Sequence, residues 1–277
     1  MDAPAFDVIV IGAGPAGLSA ATAAARAGLK TLCLDKLAPG GALINLTQLH
    51  DVDEPSDGPQ MASRLADAAT EAGVELGFGD VVRLSGNSPW TIETAEGDRH
   101  DGRAVVIATG LNKGRLGVPG EEKYEGRGLS HCASCDGPLY AGKSVVVAGS
   151  EGWAAHEAQE LKAFTGDVTV VDYVTGRIVG LQGGDGLQAV VVESNGARKT
   201  VPASAVFVYV GQSPAAEFLP ESLARDATGH IVVDEGGRTS APTAFAVGDV
   251  RAGARHYLAD AIADGQRAGK AIVLALK

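Results

Sequence analysis

A glycine-rich turn near the start of the chain constrains the fold more than any other feature. The apolar run at residues 6–11 leads into Gly12-Ala13-Gly14-Pro15-Ala16-Gly17, an Ala-rich stretch follows, and the next apolar run ends at Asp35. In a strand-turn-helix-strand unit of this kind, the first glycine permits a tight turn, the second lets the backbone approach a pyrophosphate, and the third lets the helix pack closely on the strand. The acidic residue hydrogen-bonds a ribose hydroxyl. The pattern predicts a Rossmann-type unit that binds a dinucleotide.

The same plan occurs a second time. An apolar run ends at Gly149, a helical stretch covers residues 154–164, and a further run ends at Asp172, so that the spacing of the first glycine and the acid equals that in the first copy. Runs ending in Gly110 and Gly211 close the two copies. We predict an α/β fold with two Rossmann-like (three-layer ββα) nucleotide-binding domains.

The second copy departs from the first at the positions that face a phosphate. Where the first copy has Gly14 and Gly17, the second has Glu151 and Ala154, and a carboxylate at the middle position opposes a pyrophosphate by size and charge. The first copy also has room for an amphipathic helix at about residues 59–72, whereas residues 172–206 have room for little beyond hairpin strands. We expect the second copy to be truncated, with a damaged phosphate site.

A pair of closely spaced cysteines lies just before the second copy, in Cys132-Ala133-Ser134-Cys135-Asp136. Two cysteines at this spacing close a small disulfide ring, and the lowered pKa of one thiol makes it an effective nucleophile. Asp136 is placed to carry the proton. A zinc half-site is the competing interpretation, but His131 and His156 lack ligand spacing, so the sequence predicts no metal.

The overall composition narrows the classes of partner. The formal net charge is −11, the hydrophobic fraction is 45%, and the chain contains three cysteines. This charge argues against nucleic acid and anionic membrane surfaces as partners, and no apolar run has the length of a membrane span. With no signal-peptide pattern and too few cysteines for a disulfide framework, we expect a cytoplasmic protein.

These motifs, taken in order, resemble the low-molecular-weight thioredoxin reductase family nearly end to end. The matching pieces are residues 12–17, Gly40-Gly41, Ala108-Thr109-Gly110, Val118-Pro119-Gly120-Glu121, residues 132–136 and residues 245–250. The resemblance implies an FAD-binding domain at residues 1–113 and 241–277. Residues 114–240 are then an inserted, degenerate NAD(P)-type domain that carries the dithiol. It also implies a homodimer that acts on a thioredoxin-like protein or a small disulfide.

The resemblance also assigns roles to single residues. Cys135 would lie next to the flavin, Cys132 would attack the partner disulfide, and Asp136 would act as acid and base. The residues it implies for FAD binding are Gly12, Gly14, Pro15, Ala16, Gly17, Asp35, Lys36, Gly41, Asp51, Val82, Ala108, Thr109, Gly110, Gly248, Asp249, Arg255 and His256.

Some positions differ from the family pattern. Where members carry basic residues for the 2′-phosphate of NADPH, residues 172–177 read Asp-Tyr-Val-Thr-Gly-Arg; near the flavin, Ala42 stands for Gln and His256 for the Gln of an Arg-Gln pair. We therefore expect a disulfide reductase that takes electrons from ferredoxin or another donor rather than from NADPH. Two alternatives stay open: a dithiol oxidase that uses oxygen, and a redox sensor without catalytic flux.

Overall fold

A computed structural model describes residues 5–46, 49, 57–150 and 152–277. The chain forms two compact units, one of Met1–Leu111 with Ser213–Lys277 and the other of Asn112–Gln212. The second unit is therefore an insertion in the first, as the resemblance implied.

The elements before the insertion are β1 (Phe6–Ile11), α1 (Pro15–Arg26), β2 (Thr31–Asp35), a 3-10 turn (Gly41–Asn45), α2 (Gly58–Glu71), β3 (Glu75–Phe78), β4 (Val81–Gly86), β5 (Trp90–Thr94) and β6 (Arg99–Ile107). Next come β7 (Leu111–Lys113), a 3-10 turn (Glu121–Tyr124), β8 (Leu129–Ser130), α3 (Ala133–Asp136), a 3-10 turn (Gly137–Tyr140), β9 (Val145–Gly149), α4 (Trp153–Leu161), β10 (Val168–Val171), β11 (Gly176–Gly183), β12 (Leu187–Ser194), β13 (Ala197–Pro202), β14 (Ala205–Tyr209) and β15 (Gln212–Pro214). The last elements are β16 (Ala244–Ala246), a 3-10 turn (Gly248–Val250) and α5 (Leu258–Leu276).

The first unit is built on one seven-stranded sheet, in the order β3-β2-β1-β6-β5-β4, with β16 alongside β6. β1 pairs in parallel with β2 and with the end of β6, so that Val8 lies opposite both Thr31 and Ala104. β4, β5 and the start of β6 form an antiparallel meander. β1 and the end of β6 are almost entirely buried because apolar side chains pack on both faces of the sheet there, which explains their nearly continuous apolar sequence.

Helix α1 packs closely on the C-terminal helix α5. A methyl group on Gly265 would lie 2.2 Å from the Ala16 carbonyl oxygen, and one on Gly269 would lie 2.5 Å from Ala23 Cβ. Glycine at these two positions lets the helix backbones approach within a distance that larger residues forbid. Residues 213–277 thus complete the unit that residues 5–111 begin.

The second unit has a four-stranded parallel sheet, β10-β9-β14-β8, and a three-stranded antiparallel sheet, β11-β12-β13. Val146, Val147 and Phe207 are fully buried in it. The described residues between β10 and β14 hold only those three antiparallel strands, whereas the first unit has α2 between β2 and β3. The expected shortening of the second copy is confirmed.

The return to the first unit falls at Ser213 and not at residue 241, the position that the resemblance implies. Ala216, Leu219, Leu223 and Ile231 are buried in the core of the first unit, and the Leu84 amide donates to the Phe218 carbonyl. Residues 213–240 contain no long periodic element that would have shown from the sequence which core they join. Their apolar side chains, rather than a strand or helix pattern, decide the boundary.

Candidate active site

The glycine-rich turn of the first unit leaves space above the start of α1. Gly12 has φ +102°, and methyl groups on Gly12 and Gly17 would lie 2.4 Å from the Ala108 oxygen and 1.9 Å from the Gly12 oxygen. Around Gly14, by contrast, a methyl group would meet no protein atom within 4 Å. Pro15 occupies the first turn of α1, where its missing N–H costs nothing. The turn therefore offers free backbone N–H groups and open space to a phosphate.

Asp35 closes this turn from the end of β2. Its Oδ2 accepts a hydrogen bond from the Ala13 amide at 2.7 Å, and its Oδ1 accepts from the Leu37 amide at 2.9 Å. The neighbouring Lys36 side chain is exposed. Asp35 thus lies beside the turn and fixes the shape of the loop.

Further predicted residues meet at the same edge of the sheet. Gly41 has φ +55°, and a methyl group on it would lie 3.1 Å from Gly14 Cα. The Ala108 amide donates to the Ile11 carbonyl, which brings the end of β6 beside the end of β1. Gly248, with φ +69°, would bring a methyl group to 2.9 Å from Ala16 Cβ.

The remaining predicted residues lie around this edge. Thr109 Oγ1 donates to the Ala215 carbonyl at 2.6 Å, and Gly110 takes a positive φ of +66°. Val82 is about half exposed on β4, three residues beyond Gly79, whose amide donates to the Asp35 carbonyl. Asp51 lies outside the described residues.

Asp249 and His256 face each other. Asp249 follows the Gly248 turn, and its Oδ1 lies 3.3 Å from His256 Nδ1. His256 adopts the left-handed backbone region with φ +60°, and Arg255 pairs with Asp260. Asp249 supplies carboxylate oxygens where the resemblance places a ribityl chain. Together with the open turn at Gly14, these residues fit a bound FAD.

The second unit contains the dithiol site. Cys132 and Cys135 form a disulfide with their Cα atoms 5.4 Å apart. Cys132 precedes α3 and is half-buried, while Cys135 is exposed. The Cys135 amide points at Cys132 Sγ, at 3.3 Å. A thiolate at Cys132 would therefore receive a backbone hydrogen bond that stabilises it.

Asp136 is held in place by Ser130. Ser130 Oγ donates to Asp136 Oδ2 at 2.7 Å and accepts from the Cys132 amide at 3.1 Å. Burial first, and then the negative charge of Asp136, raise the pKa of the neighbouring Tyr140. The predicted acid/base residue thus lies within one hydrogen-bonded chain that reaches the backbone of Cys132.

Two residues near the dithiol were missed by the sequence analysis. Tyr209 Oη donates a hydrogen bond to Glu157 Oε2 at 2.6 Å. The Ala133 amide in turn donates to both oxygens, at 3.0 Å from Tyr209 Oη and 3.2 Å from Glu157 Oε2. Burial first, and then the Glu157 carboxylate, raise the pKa of Tyr209 well above its usual range. The only sequence signal was their position, because they occupy the places of Ala20 and Ala108 in the first copy.

The phosphate turn of the second copy differs from that of the first. Ala154, buried at the place of Gly17, has its Cβ 2.8 Å from where a methyl group on Gly149 would lie. Asp172 accepts from the Val174 amide, and Arg177 pairs with Glu193 at 2.9 Å. Glu151 lies outside the described residues.

Neither a metal site nor a membrane span is found in the part of the chain that the structure describes. No group of three His, Cys, Asp or Glu side chains there is arranged to hold a metal ion. No helix there combines the length and the apolar character needed to cross a bilayer.

Comparison with known proteins identifies the family of the chain. The family model for pyridine nucleotide-disulphide oxidoreductases matches residues 6–179 and 172–269, so the chain belongs to this family. It is a thioredoxin reductase-like, FAD-dependent disulfide oxidoreductase, which confirms the predicted fold class, enzyme class and cofactor.

Individual relatives support this assignment over nearly the whole chain. The thioredoxin reductase of Listeria innocua is 32% identical, with 96% of this chain and 92% of that protein covered. The crystal structure of the Lactococcus lactis thioredoxin reductase superposes with a TM-score of 0.88 at 30% identity, covering 98% of this chain and 99% of that one. The T. acidophilum thioredoxin reductase gives a TM-score of 0.86 at 30% identity, with 97% and 98% covered.

Proposed function

We propose that this protein passes electrons between FAD and a protein disulfide through Cys132 and Cys135, and that its electron donor is not NADPH. The observation that carries the second part is the structure of the second unit, where β10 leads directly into β11 without a helix between them. Ferredoxin is our first candidate for the donor. We further propose a cytoplasmic homodimer, and a thioredoxin-like protein or a small disulfide as partner.

The residues around β10 give further support. The 2′-phosphate of NADPH calls for a cation, but β10 is followed by the Asp172 carboxylate, and Arg177 is already paired with Glu193. An acid at this position repels a 2′-phosphate. Ala154, in the place of a glycine, also brings its methyl group into the turn. These features fit NADPH poorly.

For FAD, the residues that would hold the cofactor are those that line the first turn and the Gly248-Asp249 segment. Bound FAD would supply a carrier that takes up and gives out two electrons. Gly14 leaves room for the pyrophosphate and Asp249 offers acceptors to the ribityl hydroxyls.

The dithiol reaction follows ordinary thiol exchange. With Cys132 and Cys135 reduced, the Cys132 thiolate attacks one sulfur of the partner disulfide, so that one S–S bond breaks as a mixed disulfide forms. The Cys135 thiolate then attacks Cys132 Sγ, which releases the partner as a dithiol and restores the Cys132–Cys135 disulfide. Two electrons pass to the partner, and Asp136 handles the proton of the attacking thiol.

The donor is tested by anaerobic titration of the purified holoenzyme, followed through the absorbance bands of oxidised flavin. We expect these bands to persist with NADPH and NADH and to bleach with reduced ferredoxin. Rapid, stoichiometric bleaching by NADPH would refute the donor proposal while leaving the dithiol chemistry intact, and bleaching by NADH alone would make NADH the donor in place of ferredoxin.

The dithiol is tested by serine variants. Cys132→Ser should abolish disulfide reduction, whereas Cys135→Ser should trap the partner as a mixed disulfide on Cys132. Cys33→Ala is the control, since Cys33 is buried in β2 and burial raises the pKa of its thiol. Unchanged exchange in both serine variants would show the assignment to be wrong, and a wild-type protein without sustained turnover would favour a redox sensor.

A further inference from the structure

A carboxylate that takes no part in the proposed thiol exchange lies at the start of α3. Glu157, on α4, is half-buried, and its Oε2 lies 2.6 Å from Tyr209 Oη and 3.2 Å from the Ala133 amide nitrogen. Ala133 directly follows Cys132 and is fully buried. The carboxylate is therefore fixed one residue from the attacking thiol.

The two partners of this carboxylate hold it there. Tyr209 Oη donates to Glu157 and accepts from the Ala133 amide, so the three groups form a closed set of hydrogen bonds. Because burial and the Glu157 charge raise the pKa of Tyr209, this hydroxyl keeps its proton and stays a donor over the working pH range. These hydrogen bonds thus link α4 and β14 to α3 beside the dithiol.

The sign of the charge matters for the thiol. The N–H groups at the start of a helical turn favour a nearby thiolate, and here the Cys135 amide points at Cys132 Sγ. A carboxylate bound to the adjacent amide opposes a thiolate. The two influences act on the same sulfur with opposite signs.

We propose that Glu157 is a positioning residue that, held by Tyr209, fixes the Cys132 turn and keeps the Cys132 thiol from being too acidic. A less acidic thiol is the stronger nucleophile once ionised, and it also makes the disulfide form of the pair relatively more stable. Both effects favour giving electrons to a partner disulfide. The benefit for turnover rests on the proposed function, but the effect on the thiol does not.

Other titratable groups lie on neighbouring residues of this segment. Asp136 is bonded to Ser130, and His131 lies 3.3 Å from the Val208 carbonyl and 3.6 Å from Glu125. Tyr140 lies on the turn that follows α3. Because these groups are the same in every variant compared below, differences between variants report on Glu157 and Tyr209.

The test uses the FAD-loaded protein with Cys135→Ser, in which Cys132 is the reactive thiol and Cys33 is shielded by burial. The rate of alkylation by iodoacetamide is measured from pH 5 to 10. Adding Glu157→Gln should lower the apparent pKa of Cys132 by about one unit, because the opposing charge is removed. Adding Tyr209→Phe keeps that charge, so the pKa should move much less.

Glu160→Gln, which removes a carboxylate from the same helix, is the matched control and should leave the pKa of Cys132 unchanged. The proposal is overturned if Glu157→Gln shifts the pKa no more than Glu160→Gln does, or if Tyr209→Phe shifts it equally. Turnover is measured on the same substitutions with both cysteines present. A wild-type protein that reduces no disulfide would refute the proposed function, whatever the pKa of Cys132.

Discussion

Helix α1 of the first unit and helix α4 of the second begin at equivalent turns but have different neighbours. α1 presents small residues and packs on the glycines of α5, whereas α4 presents Glu157 to α3. Ala20 and Glu157 each stand eight residues after the first glycine of their copy. The same strand-turn-helix unit thus has two roles. Small side chains leave the phosphate turn of the first copy open, whereas larger, polar side chains of the second copy hold the dithiol segment by hydrogen bonds.

The largest expected effect comes from giving the first copy the residue of the second. Gly17→Ala places a methyl group 1.9 Å from the Gly12 oxygen, which we expect to lower the free energy of unfolding by about 3 kcal/mol. The variant should also retain less FAD. Urea unfolding and the ratio of flavin to protein absorbance measure both. Ala154→Gly, the reverse change in the second copy, is the control and should retain its FAD. A Gly17→Ala protein that keeps its full FAD content would contradict the different roles inferred for the two turns.

The next largest effect is expected from loss of the hydrogen bonds that join Tyr209, Glu157 and the Ala133 amide. Tyr209→Phe removes the donor to a half-buried carboxylate and one of the two acceptors of the Ala133 amide, which should cost about 2 kcal/mol. Urea unfolding measures the loss of stability, and faster hydrogen exchange of the Ala133 amide would show that the loss arises at this site. Tyr173→Phe is the matched control, since that hydroxyl accepts the Ile178 amide instead of contacting a carboxylate. Equal losses in the two variants would argue against a special role for Tyr209.

The two units should begin to lose stability at different alkaline pH values. Burial raises the pKa of Cys33 in the first unit, and burial together with Glu157 raises that of Tyr209 in the second. In each case the folded state keeps a proton that the unfolded chain loses, so stability is full below the unfolded pKa and falls above it. The loss should begin near pH 8.5 for Cys33 and near pH 10 for Tyr209, at about 1.4 kcal/mol per pH unit for each group.

Urea unfolding from pH 8 to 11 checks this prediction. Cys33→Ala should remove the decline that begins near pH 8.5, and Tyr209→Phe the one that begins near pH 10. A decline that survives both substitutions would have another source.

The smallest effect on stability is expected at Gly14. A methyl group there meets no protein atom within 4 Å, so Gly14→Ala should change the free energy of unfolding of the FAD-free protein by less than about 0.5 kcal/mol. FAD affinity should nevertheless fall about tenfold, because the methyl group takes space that a phosphate needs. Isothermal titration with FAD measures this. An affinity equal to wild type would place the pyrophosphate elsewhere.

Regular patterns in the sequence predicted most of the fold. The strand-turn-helix units around Gly12 and Gly149 were found because their periodicity and glycine spacing are local. The domain return at Ser213 was not, since residues 213–240 join their core through scattered apolar side chains. The Tyr209–Glu157 pair was missed for a related reason: its members are 52 residues apart, and nothing local links them.

The packing of α5 on α1 has a consequence for biosynthesis. Helix α1, which starts at the phosphate turn, is synthesised well before its close neighbours Gly265 and Gly269. The inserted unit, residues 112–212, is contiguous and can fold while translation continues. The first unit must wait for β16 and α5. We therefore expect flavin capture to follow the synthesis of α5, after the dithiol unit has had time to fold.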